Sequence, residues 1–415
     1  MMIRNLILCL MFIVLAGLLL PASVASGQSA GQPNKTRFPD VPPTHWAYEA
    51  IQTGVERGYI KGFPDGTFRP NDPVTAAQFI KMALVSLTDD SRGFVFWSEK
   101  YLSMVPEWYR IRLVQDTVNF EEGTPWYKNY IETAKNRGYI HSEFDGRFEE
   151  PITREQAAKF ISNLDTTFRG QHMREYAMLA GAQLFKDFDR VDDYLKHFVG
   201  DVALRGIMIG YNGYFNPKGT ITRAEAAKIC LLLMEDSKRS KVNVNLEGVP
   251  YSIVPNPGYG TMVMIFANEE MKRVYDEMRS RLENYPGSAD AEFGGMSYFE
   301  NEQLKEESFR ATYFMDVENW KVLYDWSISY SGNVYSMSLA TAKGRLERVS
   351  GEFKHFLSLI FENEAESVYR LIESVILNAR LGVNETVKQM VEGREIVIVS
   401  HGEAVRIGIS AFRDK

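Results

Sequence analysis

A chain of 415 residues that is 45% hydrophobic, 13% aromatic and 24% charged has the make-up of ordinary globular protein, with room for two or three domains. A formal net charge of -7 and a pI near 5.6 exclude a bulk attraction to nucleic acid or acidic lipid, so an anionic partner would have to be held by local basic positions. Of the two cysteines, Cys9 falls in a segment expected to be cleaved, which leaves Cys230 alone in "AAKICLLLME". No internal disulfide is expected, and a buried, inert thiol is the simplest reading.

The chain opens with one positive charge in "MMIRN", an apolar run from Leu6 to Leu20 and a polar exit with small residues at Ser23 and Ala25. That is the layout of a signal peptide, expected over 1–29. The run is shorter than the roughly 20 residues that span a bilayer, so export without a permanent membrane span is expected. Leu18 stands where a lipidated Cys would be, which argues against a lipoprotein.

A pattern then recurs three times. "HWAYEAIQTGVERGYI", "PWYKNYIETAKNRGYI" and "DYLKHFVGDVALRGIM" place Trp46, Trp126 and Tyr194 at matching positions ahead of apolar residues at helical spacing. Gly58, Gly138 and Gly206 each follow an Arg and precede an apolar residue, as at a Gly-terminated helix. Asp65-Gly66, Asp145-Gly146 and Asn212-Gly213 predict tight turns, each two residues before Phe68, Phe148 or Phe215, which should pack back on the helices. Thr75 with Gln78, Thr153 with Gln156 and Thr222 with Glu225 have capping-box spacing and predict a second helix in each unit. Capping leaves Arg154 and Arg223 unexplained. A cation in a first turn opposes the helix dipole, so a neighbouring carboxylate or an anionic ligand should compensate it.

The layout "FPDVPPTHWAYEAI...GYIKGFPDGTFRPNDPVT", with "ITREQAAKF" and "ITRAEAAKI" further on, resembles three tandem S-layer homology (SLH) domains, over 38–90, 113–165 and 183–236. The middle unit lacks a clear "FxDV" opening. The resemblance implies a mainly α-helical, pseudo-threefold assembly whose grooves bind secondary cell-wall polymer attached to peptidoglycan, commonly ending in a pyruvylated sugar. It carries the family's groove arginine onto Arg154 and Arg223, whose planar fork suits a ketal carboxylate. Trp46 and Trp126 could face sugar rings. Asp40 in "FPDV" and Asp187 in "FKDF" match the acidic opening position, where hydrogen bonding to backbone is the simpler role. Ala76 replaces the arginine in the first unit, so its groove is expected to be weak, silent or served by Lys61 or Arg69, leaving two competent grooves.

An aromatic insertion is expected over 91–112, and a charged, Pro- and Gly-punctuated linker or domain entry over 237–260. The remainder, 250–415, reads as an α+β domain of no recognised family. "KVLYDWSISYSGNVYSMSLA" predicts a hairpin with Tyr324, Trp326, Ile328 and Tyr330 on one face, and "EIVIVSHGEAVRIGIS" a second hairpin turning at His401-Gly402. Between them, 345–380 repeats apolar residues as a long amphipathic helix or a broken pair.

No nucleophile-elbow, zinc-protease, Cys-x-x-Cys or phosphate-loop motif occurs, and no metal or cofactor is expected. Ser400, His401 and Glu403 are adjacent in a turn, which does not make a relay. His355 lies in the helical stretch as a packed or solvated residue. The expected product is an exported, wall-anchored, non-catalytic protein whose C-terminal domain has an unknown partner; the alternative is a wall-anchored hydrolase.

Overall fold

A computed structural model describes residues 38–87, 125–291, 294–314, 322–330 and 332–412. The expected signal peptide and the expected aromatic insertion lie outside the described residues. The described chain holds two separate hydrophobic cores, one built from residues between Phe38 and Met234, the other from residues between Val254 and Ala411.

The first core is packed by α1 (Tyr48–Glu56), α2 (Ala76–Ser86), α3 (Lys128–Asn136), α4 (Arg154–Arg169), α5 (Arg174–Leu184), α6 (Lys196–Leu204) and α7 (Arg223–Met234). All three capping boxes form, with Thr75, Thr153 and Thr222 each accepting from the third backbone N–H. Gly58, Gly138 and Gly206 have φ of 78°, 70° and 67°, the left-handed conformation the Gly-terminated reading requires.

Three segments ahead of the capped helices close on one another. The N–H of Val74 donates to Ile221 O at 2.9 Å, Ile221 to Ile152 O at 3.0 Å, and Ile152 to Val74 O at 3.1 Å. Packing follows the same cycle, because α3 lies on α2, α6 on α4, and α1 on α7. Phe68 and Phe215 are fully buried as expected, whereas Phe148 is half-buried. An arginine crosses the face of each buried ring, and Ala76 occupies the corresponding place beside Phe148.

Sequence periodicity leaves α5 unassigned. Gly200 on α6 meets it so closely that a Cβ there would stand 1.8 Å from Ala177 O. At the base of these helices lies a buried ionic cluster. Asp165 accepts from Arg169 at 2.6 Å, Arg205 at 2.9 Å and Arg239 at 2.7 Å, while Asp201 accepts from Ser162, His172 and Arg205 at 2.6, 2.7 and 2.6 Å. Burial pushes both carboxyls up, but Arg205 and its neighbours outweigh it and hold both below the ordinary range. Cys230 is buried with no disulfide, and burial raises its thiol far above the usual value. It should therefore resist a chromogenic disulfide reagent in the folded chain and react on denaturation; rapid labelling of native protein would contradict this.

The expected linker enters the second part as structure. Strands β1 (Tyr251–Asn256) and β2 (Gly260–Ile265) pair as a hairpin. Asn256 Nδ2 donates to Gln171 O at 3.1 Å and the Tyr259 hydroxyl to Thr167 O at 2.7 Å, tying the hairpin to the end of α4.

Helix α8 (Glu269–Arg281), capped by Asn268, leads to β3 (Ser288–Asp290), β4 (Gly295–Phe299), α9 (Glu302–Phe314), β5 (Trp326–Ser329) and β6 (Val334–Ala340). Helices α10 (Arg345–Ile360) and α11 (Ala365–Arg380) precede β7 (Thr386–Val391), β8 (Arg394–His401) and β9 (Ala404–Ser410). The strands form one antiparallel sheet in the order β3-β4-β5-β6-β9-β8-β7, so the α+β expectation and both hairpins are observed.

The long amphipathic helix is a broken pair. Phe361 is extended and buried, and the Glu392 carboxylate accepts from the N–H groups of Glu362, Asn363 and Glu364 at 2.7, 2.7 and 3.1 Å, satisfying the break. Tyr324 also departs from expectation. A bend at the buried Asp325 takes it off the core face, and its hydroxyl donates to Ser338 on the open face at 2.8 Å.

Candidate anion-binding cavity

The capping helices hand their first residues to a neighbouring unit. Arg223 and Ala224 donate backbone N–H bonds to Asp72 O and Pro70 O at 2.9 and 3.0 Å, which sets the start of α7 over the turn that ends in Phe68. Arg154 and Glu155 do the same to Gly219 O and Pro217 O at 2.8 and 3.1 Å, over the Phe215 turn. Ala76 and Ala77 donate to Glu150 O and Phe148 O at 2.9 and 2.8 Å. The missing arginine therefore depletes the place beside Phe148. The turn of the first unit, whose own helix carries Ala76, receives Arg223 from α7 by this exchange.

The Arg223 guanidinium lies over the rings of Phe63 and Phe68 at 4.8 and 4.6 Å. Its Nε donates to Phe68 O and its Nη2 to Lys61 O, both at 2.8 Å. Among the described residues no carboxylate pairs with it, and Nη1 has no hydrogen-bond partner. Lys61, Gln78, Lys81 and Trp126 line a 280 Å³ cavity with it. Lys81 Nζ lies 5.4 Å from the Trp126 ring and 5.7 Å from Tyr130. Burial pulls the Lys81 ammonium below the usual lysine range, with Lys61 adding to the effect, and Lys81 likewise has no carboxylate partner among the described residues. Burial also lowers Arg223 from its ordinary value, which for a guanidinium is too high for this to remove the charge at physiological pH. Three cations thus share one cavity with no acid among its described lining residues, and Asp72 and Asp40 act on Arg223 only electrostatically.

Arg154 answers the same question differently. Its Nε donates to Phe215 O at 2.7 Å, but its Nη1 pairs with Glu225 Oε1 at 2.6 Å. The compensation sought for the two arginines is a directly paired carboxylate at Arg154, whereas at Arg223 Asp72 and Asp40 act electrostatically and no described carboxylate is paired.

Trp126 is 52% exposed at the cavity. Trp46 is 61% exposed, stacks on His45 at 5.6 Å and does not line it. Asp40 accepts from the N–H groups of Phe68 and Arg69 at 2.9 and 2.6 Å, and Asp187 from Phe215 and Asn216, both at 2.8 Å. Burial raises the Asp40 carboxyl and these backbone bonds lower it more, giving a net depression. Both acids hold turns. Arg69 pairs with Asp65 at 2.8 Å and lies over Phe63. Sequence reasoning overlooked Lys81, although it stands six residues after its capping Thr, as do Lys159 and Lys228.

In the second part, Ser400 accepts from Glu385 N at 2.7 Å and donates to Val383 O at 3.2 Å, while His401 and Glu403 are exposed at the turn. No hydrogen bond among the described residues joins Ser400 to His401. His355 faces Glu277 at 3.4 Å. No cluster of three or more metal-ligating side chains occurs among the described residues, and none of their helices is long and apolar enough to cross a membrane.

Residues 37–80 and 184–227 match the S-layer homology domain. Two SLH domains are therefore present. The chain is 31% identical over 206 residues, 46% of its length and 9% of the relative's, to an amylopullulanase of Thermoanaerobacterium thermosulfurigenes. It is 26% identical over 229 residues to S-layer protein EA1 of Bacillus anthracis, covering 55% and 23% of the two chains. A cellulosome-anchoring protein of Acetivibrio thermocellus is 29% identical over 140 residues, covering 33% and 28%. The chain thus spans less than a third of the length of these relatives. The SLH domains and the surface-anchoring relatives make this a secreted protein of the cell wall or cell surface.

Proposed function

We propose that the SLH part anchors the chain non-covalently by binding an acidic secondary cell-wall polymer, and that the Arg223 cavity is the binding site. The observation behind this reading is the cavity itself: Arg223, Lys61 and Lys81 line it together with the exposed Trp126, and no acid is among its described lining residues. A carboxylate ending a pyruvylated glycan would take hydrogen bonds from Arg223 Nη1 and the Lys81 ammonium, with a sugar ring against Trp126. The segment 113–165 acts as a third SLH repeat that completes a pseudo-threefold assembly. Its capping box, its Gly138 terminus and its share in the Val74–Ile152–Ile221 cycle support that assignment. The second part is the domain presented at the wall, as an interaction or structural module.

Co-sedimentation with isolated Gram-positive walls, before and after extraction of secondary polymer, tests this. Binding should disappear with the polymer; binding retained on stripped walls would refute the reading.

The depressed Lys81 sets a pH dependence. The charged ammonium binds the anion, so affinity should fall as pH rises through the lowered value, before ordinary lysines deprotonate. Affinities from pH 7 to 10.5, with Lys81→Arg as the variant that abolishes the fall, measure it. An equal alkaline fall in Lys81→Arg would exclude this origin.

A further inference from the structure

Arg154 and Arg223 occupy equivalent scaffolds with different outcomes, and one capping residue makes the difference. Each Nε is held by the carbonyl of a buried Phe, Phe215 at 2.7 Å or Phe68 at 2.8 Å. Each arginine also has the third residue of a capping box beside it. For Arg223 that residue is Gln78, whose Oε1 accepts from Thr75 N at 3.0 Å. For Arg154 it is Glu225, whose Oε2 accepts from Thr222 N at 2.9 Å while Oε1 takes Arg154 Nη1 at 2.6 Å. Gln and Glu close the capping box equally well. Only Glu leaves a charged oxygen to occupy the neighbouring guanidinium. The third equivalent place has Gln156 for its cap and Ala76 in place of the arginine.

We propose that Glu225 is an internal ligand that closes the Arg154 site, so that each chain takes one acidic glycan end, at Arg223. This rests on the polymer-binding reading above and adds its stoichiometry. A ligand carboxylate arriving at Arg154 would have to displace Glu225, exchanging one charge-assisted hydrogen bond for another and leaving a half-buried acid beside a second acid. At Arg223 the arriving carboxylate displaces no acid among the described residues and meets Lys61 and Lys81. The Ala76 place offers no guanidinium. Side-chain identity at the capping position therefore determines which of the two arginine sites is open.

Titration calorimetry of the full chain with a synthetic pyruvate-ketal monosaccharide tests the proposal, with wall co-sedimentation run in parallel. One site per chain is expected for the wild type and two for Glu225→Gln, which keeps its capping box because Gln fills that role in the other two helices. Arg223→Gln should have no site of wild-type affinity, and Arg223→Gln with Glu225→Gln should regain one. Two or more sites in the wild type, or one site in Glu225→Gln, would overturn the proposal. A wild type that sediments with polymer-bearing walls but does not bind the ketal sugar would overturn it and leave anchoring intact. Failure of both measurements would overturn the polymer reading as well.

Discussion

Replacing Arg223 by Gln is expected to weaken binding to extracted wall polymer by about 10- to 150-fold. The variant removes hydrogen bonds to a charged partner, each worth about 1.5–3 kcal/mol, and every 1.4 kcal/mol is about tenfold in affinity. Folding should change little, since the guanidinium is partly exposed and its own partners are the carbonyls of Phe68 and Lys61, one of which the Gln amide can still reach. Affinity and thermal midpoint measured on the same sample separate the two effects. Unchanged affinity would mean that Arg223 only ties α7 to the first turn.

Asp165→Ala is expected to cost about 3–5 kcal/mol of stability, because it leaves Arg205 buried without one of its two carboxylates and withdraws the acceptor from Arg169 and Arg239. In thermal denaturation that corresponds to a fall of roughly 6–20 °C for a unit of this size. The sign with pH also follows. Asp165 and Asp201 are depressed below their ordinary value of 3.8, so their stabilisation is fully present above that pH and is lost as pH falls through their folded-state values. The Ala variant should therefore show a shallower acid transition. A midpoint within a few degrees of wild type would show that water or rearranged partners replace Asp165.

Short-range chemistry made much of this fold readable. Capping boxes, Gly termini and Asp-Gly or Asn-Gly turns are local devices, and they occur where spacing places them. The hairpins at Trp326 and His401 were legible because alternation and a turn pair coincide. The break at Phe361 was ambiguous because both helices share one core, so apolar period runs through it, and the cap comes from Glu392 thirty residues away. Partner exchange was illegible for a related reason. Sequence spacing assigns Arg223 and Ala76 to their own units, whereas backbone bonds to Asp72 and Glu150 place them in neighbouring ones. The buried cluster joins Asp165 on α4, Asp201 on α6 and Arg239 beyond the end of α7, and no local pattern announces it.

The most direct test of the central claim is the position of the bound polymer. The indole N–H signals of the full chain, assigned by Trp→Phe variants, would be followed by NMR as polymer fragments are added. Binding in the Arg223 cavity predicts that the Trp126 signal shifts in saturable fashion and that the Trp46 signal does not. A Trp46 shift with Trp126 unmoved would contradict the assignment of the cavity.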